Sequence, residues 1–178
     1  KMLEESLIIY KKMTTEDLAT FKGEHYEINE AINQPKPLQK PHPPLWVCGG
    51  GEKVTLKLLA KYGDYGNWDV DVEGFISKSE ILKQHCDKEN RNYEEIGRTL
   101  HTNVIIGNDQ SDLNNKLEKI SNDTGIPKDI FLKKPLVGVK NEVFDKIDEF
   151  ESHGCVYLIS YIADIVWGDT LDILKEKL

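Results

Sequence analysis

This chain of 178 residues predicts an α/β fold with a parallel sheet, either half of a barrel or an open sheet, and three observations carry the prediction. Residues 43–68 hold a strand, a glycine turn, a helix and a second strand in one pass. Two further apolar runs, at 99–106 and 155–160, each sit between helix-spaced segments. The short path from Leu45 to Trp68 demands a parallel, right-handed crossover.

Taken in order, residues 2–13 place Leu3, Leu7 and Tyr10 on one helical face, joined by Met2, Ser6, Ile9 and Met13. No capping residue precedes them, so a truncated start is the expectation. Residues 20–28, TFKGEHYEI, read as a small hairpin turning at Lys22-Gly23. Pro35, Pro37, Pro41, Pro43 and Pro44 then exclude helix and make either a rigid extended lead-in or a domain linker. Leu45, Trp46, Val47 and Cys48 form an unbroken apolar run, the pattern of a strand buried on both faces. Gly49, Gly50 and Gly51 stop it. Helical spacing resumes at 52–62, with Val54, Leu58 and Tyr62 on one side, Thr55 and Leu59 beside them, and Gly63 at the end.

Residues 64–68 make the second strand. A helix at 76–90 clusters Ile81, Leu82, His85 and Cys86, and Leu100, Val104, Ile105 and Ile106 mark a third strand that Gly107 ends. Leu113, Leu117 and Ile120 mark another helix, followed by a less regular segment to Leu136. Asn141 is placed to cap a helix carrying Val143, Phe144, Ile147 and Phe150. Residues 155–160, CVYLIS, form the fourth strand, again apolar on both faces, and Leu171, Leu174 and Leu178 indicate a closing helix.

Bulk properties narrow the function. Twenty-three basic against 31 acidic residues give a net charge of −8, so no basic patch suited to nucleic acid is expected. No apolar run approaches a membrane span and the first residues read as a helix, which makes the cytoplasm the expected location. Three separated cysteines, Cys48, Cys86 and Cys155, support neither a disulfide framework nor a metal site; Cys48 and Cys155 lie in apolar strand runs and read as small buried hydrophobes.

Chemistry is expected where the strands end. A helix starting directly after a glycine-rich strand end aims unpaired N–H groups, and the positive end of its dipole, at an anion. Gly50, Gly51 and the first helical turn are therefore a candidate phosphate site, although the triplet alone fits a plain tight turn equally well. Lys53 adds a cation and Thr55 a hydroxyl donor, while Glu52 must turn outward to tolerate an anion. Asn67 and Trp68 are candidates for lining a ring pocket, with a plain core role for Trp68 as the rival reading. His101 falls near the start of its strand, where a structural role is expected, and the carboxylates Asp145, Asp148, Glu149 and Glu151 read as a solvated helix face. No residue presents itself as catalytic.

Three segments, PKPLQKPHPP, GGGEKVTLKLLAKYGDYGNW and KSEILKQHCDKENRNYEEIGRT, resemble the luciferase-like superfamily of flavin-dependent monooxygenases, and most of all its deazaflavin (coenzyme F420)-dependent oxidoreductases. The resemblance implies a (β/α)8 TIM barrel, which needs about 250 residues. Residues 1–178 are then a single luciferase-like domain comprising the C-terminal half of the barrel, strands 5–8 with their helices, and lacking the N-terminal half. The resemblance makes residues 14–42 an inserted hairpin and Pro-rich lead-in, with the hairpin packed near the cofactor end. It puts Gly49, Gly50, Gly51, Glu52, Lys53 and Thr55 at the phosphate of coenzyme F420 or FMN, the cofactor that would carry hydride transfer or oxygen activation on a small-molecule substrate. The catalytic acid or base would belong to the absent half. Exposed sheet edges predict a homo-oligomer or a complementary half barrel as partner, and a non-catalytic association module is the rival to an enzyme.

Overall fold

The computed structural model describes residues 1–177 and opens with helix α1 (Met2–Thr15) and the antiparallel hairpin β1 (Ala19–Lys22) and β2 (Glu27–Ala31). The remainder alternates: β3 (Trp46–Cys48), α2 (Thr55–Tyr62), β4 (Tyr65–Trp68), α3 (Val72–Glu89), β5 (Gly97–Gly107), α4 (Gln110–Thr124), α5 (Lys128–Leu132), β6 (Leu136–Val139), α6 (Lys140–Ser152), β7 (Cys155–Ile162) and α7 (Thr170–Lys175). Strands β3 to β7 are parallel. β4 pairs with residues 97–100 of β5 and β7 with residues 98–104, so they flank it on opposite edges. The order β3-β4-β5-β7 is that of four consecutive barrel strands, and β6 adds a short pairing with residues 104–107.

Local signals explain most boundaries. Asp71 caps α3 by accepting the Gly74 amide at 2.8 Å, and Asp109 caps α4 by accepting that of Asp112 at 2.9 Å. Both helices stop on residues with left-handed backbone, Asn90 and Gly125. Three boundaries differ from expectation. α3 begins at Val72, not at residue 76, because the Asp71 cap adds a turn. β6 fills part of the segment expected to be irregular and runs straight into α6, so the Glu142 carboxylate accepts the Val139 amide at 3.3 Å and Asn141 lies inside the helix. β5 has 11 residues and starts at Gly97, two before the expected strand. Within α7, Leu174 is buried; Leu178 lies outside the described residues.

The helices cover one face of the sheet. Against it pack Leu56 and Leu59 of α2, Phe75, Leu82 and Cys86 of α3, and Val143 and Phe150 of α6, meeting Val47, Trp68, Leu100 and Val104 from the strands. A second cluster, Ile105 with Leu113, Leu117, Ile120 and Phe131, seats α4 and α5. The other face is open among the described residues. Parallel register puts Trp46, Tyr65 and Gly97 in one row, Cys48, Asn67, Thr99 and Tyr157 in the next, then His101 with Ile159 and Asn103 with Tyr161. Tyr157 and Tyr161 are 54% and 59% exposed.

Burial on both faces, expected of 45–48 and 155–160, is thus corrected. Val47 is buried, but Trp46 and Cys48 are exposed, as are Val156 and Ile159. An apolar run records that both faces avoid polar groups; it does not supply the second layer. Cys48 is correspondingly an exposed thiol, whereas Cys86 is buried and Cys155 half-buried. Burial raises both of the latter thiols above the ordinary range.

The hairpin is placed differently from its expected position as well. Glu4 of α1 accepts Lys61 Nζ at 2.9 Å and the Tyr62 hydroxyl at 3.1 Å, at the last turn of α2. Its neighbour Glu5 accepts the amides of Glu24, His25 and Tyr26, each at 2.9 Å, holding the hairpin turn. The hairpin is therefore anchored beside the end of α2, whereas the glycine triplet precedes that helix's start. The proline segment lies against α1, where Lys36 Nζ donates to the Met13 carbonyl at 3.0 Å and Tyr10 donates to the Pro43 carbonyl at 3.3 Å.

Candidate functional site

The glycine triplet continues β3 onto the rim where all the parallel strands end. Gly49 has φ +111°, a backbone region that side chains disfavour, and its amide donates to the Asn67 carbonyl at 3.2 Å. This fastens the turn to β4. Beyond it the backbone does not immediately enter the helix: residues 52–54 form a turn and α2 begins at Thr55, three residues later than the expected helix. The Leu56 amide reaches back to the Gly51 carbonyl at 3.0 Å. The amides of Gly50, Gly51, Glu52, Lys53 and Val54 have no acceptor among the described residues.

A strand followed by three glycines and a loose turn leaves those donors exposed because no side chain is present to cover them. The loop is nevertheless braced from behind. Lys78 of α3 donates to the Gly50 carbonyl at 2.9 Å and lies 3.9 Å from the Glu52 carboxylate, and His85 Nε2 is 2.8 Å from the Glu52 carbonyl. A side chain at either inner position would displace a neighbour: a Cβ on Gly50 would lie 2.7 Å from Lys78 Cε, and one on Gly51 would lie 2.8 Å from Thr55 Oγ1. Gly51 thereby leaves the Thr55 hydroxyl open to the turn. Glu52 and Lys53 are exposed, and pairing with Lys78 offsets part of the Glu52 charge. Backbone donors, one hydroxyl, Lys53 and the start of α2 suit a phosphate.

Asn67 and Trp68 do not share a pocket. Neighbours in a strand point to opposite faces. Asn67 belongs to the open face, where Thr99 Oγ1 lies 2.9 Å from both its Oδ1 and the Gly66 carbonyl and has a single proton to share between them. Trp68 is 1% exposed and packs edge-on against Phe75, with ring centroids 5.3 Å apart. It is core, so its ring-pocket role is withdrawn.

The open face gathers further groups, of which Trp46, Tyr65 and Tyr157 have no site role in the sequence reading. Trp46 stacks on Tyr65 at 4.5 Å, with Tyr157 at 6.0 and 5.7 Å from the two rings. His101 is the fifth residue of β5, half-buried, and meets the Tyr161 ring edge-on at 4.8 Å. The early start of β5 moves it away from the strand end that suggested a purely structural role. Lys78 left no sequence signal, since its place in α3 resembles that of any helix-surface lysine. Period-two alternation, applied across the apolar runs, would have found Trp46 and Tyr157; Tyr161 is already marked by its position at a strand end.

Further along the rim, polar groups are consumed internally. Lys116 is buried, donates to the Ile106 carbonyl at 2.5 Å and pairs with Asp169, and its bond holds the Asp169 carboxyl below the usual range. Thr170 donates to buried Asp164 at 2.8 Å, and Asn108 is tied to Asp112 and Asp169. These residues join β5 to the segment after β7. No group of three or more His, Cys, Asp or Glu among the described residues is arranged to hold a metal ion, and no helix is long and apolar enough to cross a membrane.

A sequence model of the family described as luciferase-like monooxygenase matches residues 1–145. An FMNH2-dependent dimethylsulfone monooxygenase of Pseudomonas putida is 32% identical over 84 residues, 45% of this chain and 22% of that protein. Among solved structures, an F420-dependent secondary alcohol dehydrogenase in complex with an F420-acetone adduct aligns with a TM-score of 0.73 at 14% identity, over 94% of this chain and 57% of that one. The coenzyme F420-dependent tetrahydromethanopterin reductase of Methanopyrus kandleri aligns with a TM-score of 0.72 at 14% identity, over 97% and 59%. These two structural likenesses speak for the fold alone. The chain spans less than two thirds of the length of each of these relatives, and its parallel sheet and helices correspond to half of their barrel.

Proposed function

The chain belongs to the luciferase-like monooxygenase family, and from that premise we propose that it holds the phosphate of a flavin-type cofactor, FMN or coenzyme F420, in an oxidoreductase acting on a small molecule in the cytoplasm. The observation that carries the proposal is the row of unpaired amides from Gly50 to Val54, opening on the rim where the strands end. Gly50 and Gly51 allow close approach, the Thr55 hydroxyl and Lys53 add a donor and a cation, and Lys78 holds the turn in shape from behind. Such a cofactor supplies hydride transfer or oxygen activation when bound. This chain's residues supply the anchor, with Asn67, beside Thr99, and the His101–Tyr161 pair as wall groups on the open face. No acid or base is assigned.

Titrating the chain with FMN and with F420, following ligand fluorescence, separates the two cofactors. Substituting Gly51→Val or Thr55→Ala is expected to weaken binding about tenfold, the scale of one lost hydrogen bond to a charged group. Unchanged affinity in both variants removes the loop from the site.

The exposed aromatic face favours a second, compatible reading. Trp46, Tyr65, Tyr157, Ile159 and Tyr161 present contiguous apolar surface of the kind that drives association. A complementary set of barrel strands is the partner surface that fits it. Sedimentation of the chain alone tests for self-association through that face; a dimer that survives Tyr157→Glu would exclude this surface as its interface.

A further inference from the structure

At the opposite end of β5 from the strand-end rim, α3, the turn before β5, β5 itself and the end of α6 converge on a pocket of about 220 Å3. Ser79, Glu80, Lys83, Tyr93, Arg98 and His153 line it. Two polar groups there have been removed from water without compensation. The Ser79 side chain is buried, at 8% exposure for the residue, and neither its Oγ nor Arg98 Nε has a hydrogen-bond partner among the described residues. Buried polar groups are ordinarily paired, so two orphans lining one cavity point to something that pairs them.

The surroundings specify its charge. Arg98 is clamped: its guanidinium lies 4.5 Å from the centroid of the Tyr93 ring and bonds the Tyr93 hydroxyl. Gly154, at φ +85°, gives way to it, since a Cβ there would come 2.9 Å from Arg98 Cζ. These contacts engage both terminal nitrogens and the ring-facing side of the guanidinium, while Nε is buried and unpaired among the described residues. Lys83 follows Ser79 by four residues on α3, hence on the same face one turn along, and makes no ion pair among the described residues. The carboxylates stay at the mouth. Glu80 is exposed, and Glu94, also exposed, approaches Arg98 no closer than 3.9 Å.

We propose that this pocket binds a small oxyanion of the phosphate class, received by the Ser79 hydroxyl, Arg98 Nε–H and the Lys83 ammonium, with His153 at the entrance. A guanidinium edge beside a hydroxyl and an ammonium matches the acceptor-rich surface of such an anion. Every group belongs to α3, β5 or the residue ending α6, so the site does not depend on what covers the open face. It shares no residue with the glycine loop, although α3 serves both, with Lys78 and His85 bracing the loop and Ser79 and Lys83 lining this pocket.

The test is a titration of the isotope-labelled chain with potassium phosphate against a potassium chloride control of equal ionic strength, followed by amide and Arg Nε–H resonances. Saturable shifts at Ser79, Lys83, Gly154 and Arg98 Nε–H are expected, persisting in Gly51→Val. Ser79→Ala and the surface change Lys83→Gln should each weaken the titration about tenfold, the scale of one charged hydrogen bond. Shifts confined to residues 50–55, shifts that never saturate, or affinity unchanged in both pocket variants would overturn the site. A dispersed spectrum of Lys83→Gln keeps the result readable if Ser79→Ala unfolds.

Discussion

Trp46 and Trp68 stand on adjacent strands of one sheet and have opposite fates. Trp68 is sealed against Phe75 beneath the helices, whereas Trp46 stacks on Tyr65 and is 38% exposed. Both sit in apolar surroundings in the sequence, and what separates them is the side of the pleat each occupies. The comparison teaches that this sheet is half finished by its own chain: helices pack on one face, and the other displays aromatic and polar groups in register.

The largest expected contrast is chemical. Cys48, exposed on the open face, should react fastest of the three with a thiol reagent. Cys86, fully buried with its pKa raised by burial, should react slower by about 10^3-fold or more, since it waits for an opening of several kcal/mol. Half-buried Cys155 should fall between. Equal labelling of Cys48 and Cys86, read by mass spectrometry of the digested chain, would break the comparison.

Next in size are the tryptophans themselves. Trp68→Ala should destabilise by about 3–5 kcal/mol in urea unfolding, because it empties a packed site. Trp46→Ala should cost about 1 kcal/mol, most of it lost stacking with Tyr65. Similar losses would mean that the open face is covered in solution. Gly97→Ala is expected between these, at about 1–3 kcal/mol, because the new methyl would be driven into the Tyr65 ring, which lies directly opposite in the register. A changed tryptophan emission from the displaced Trp46–Tyr65 stack would accompany it.

The smallest effect lies off the sheet and calibrates the rest. Burial pushes the Glu5 carboxyl up, but the amides of His25, Glu24 and Tyr26 together outweigh burial and hold it below its ordinary range. A folded-state value below the unfolded one means the stabilisation is complete above the unfolded carboxylate's value, about 4.3, and is lost as pH falls through the depressed folded value. The side-chain carboxyl resonance of Glu5 should therefore titrate only below the ordinary carboxylate range, and Glu5→Gln should remove that acid-side transition while leaving Cys48 labelling unchanged. A transition nearer neutrality would contradict the sign.

How much was legible follows from these particulars. The strand–glycine–helix–strand unit, the four main strands and the rim position of Gly49 to Thr55 could be read from apolar runs and turn residues, since those depend on neighbours a few positions apart. The start of α3 was shifted by a single capping aspartate, and β6 escaped because four residues that include a glycine give no periodic signal. Asn67 and Trp68 were paired as neighbours in sequence although the pleat separates them. Lys78 became part of the loop only through the packing of α3 behind Gly50.

By itself, the sequence determined the alternation of elements, the parallel crossovers and a run of backbone donors that no side chain can cover, because each of these is set by local chain geometry and residue type. Tertiary structure alone decided which face of each strand the helices close, which lysine braces the loop, and that Ser79 and Arg98, 19 positions apart in the sequence, share one cavity. Those outcomes depend on how whole elements pack in three dimensions, and spacing along the chain carries no record of that.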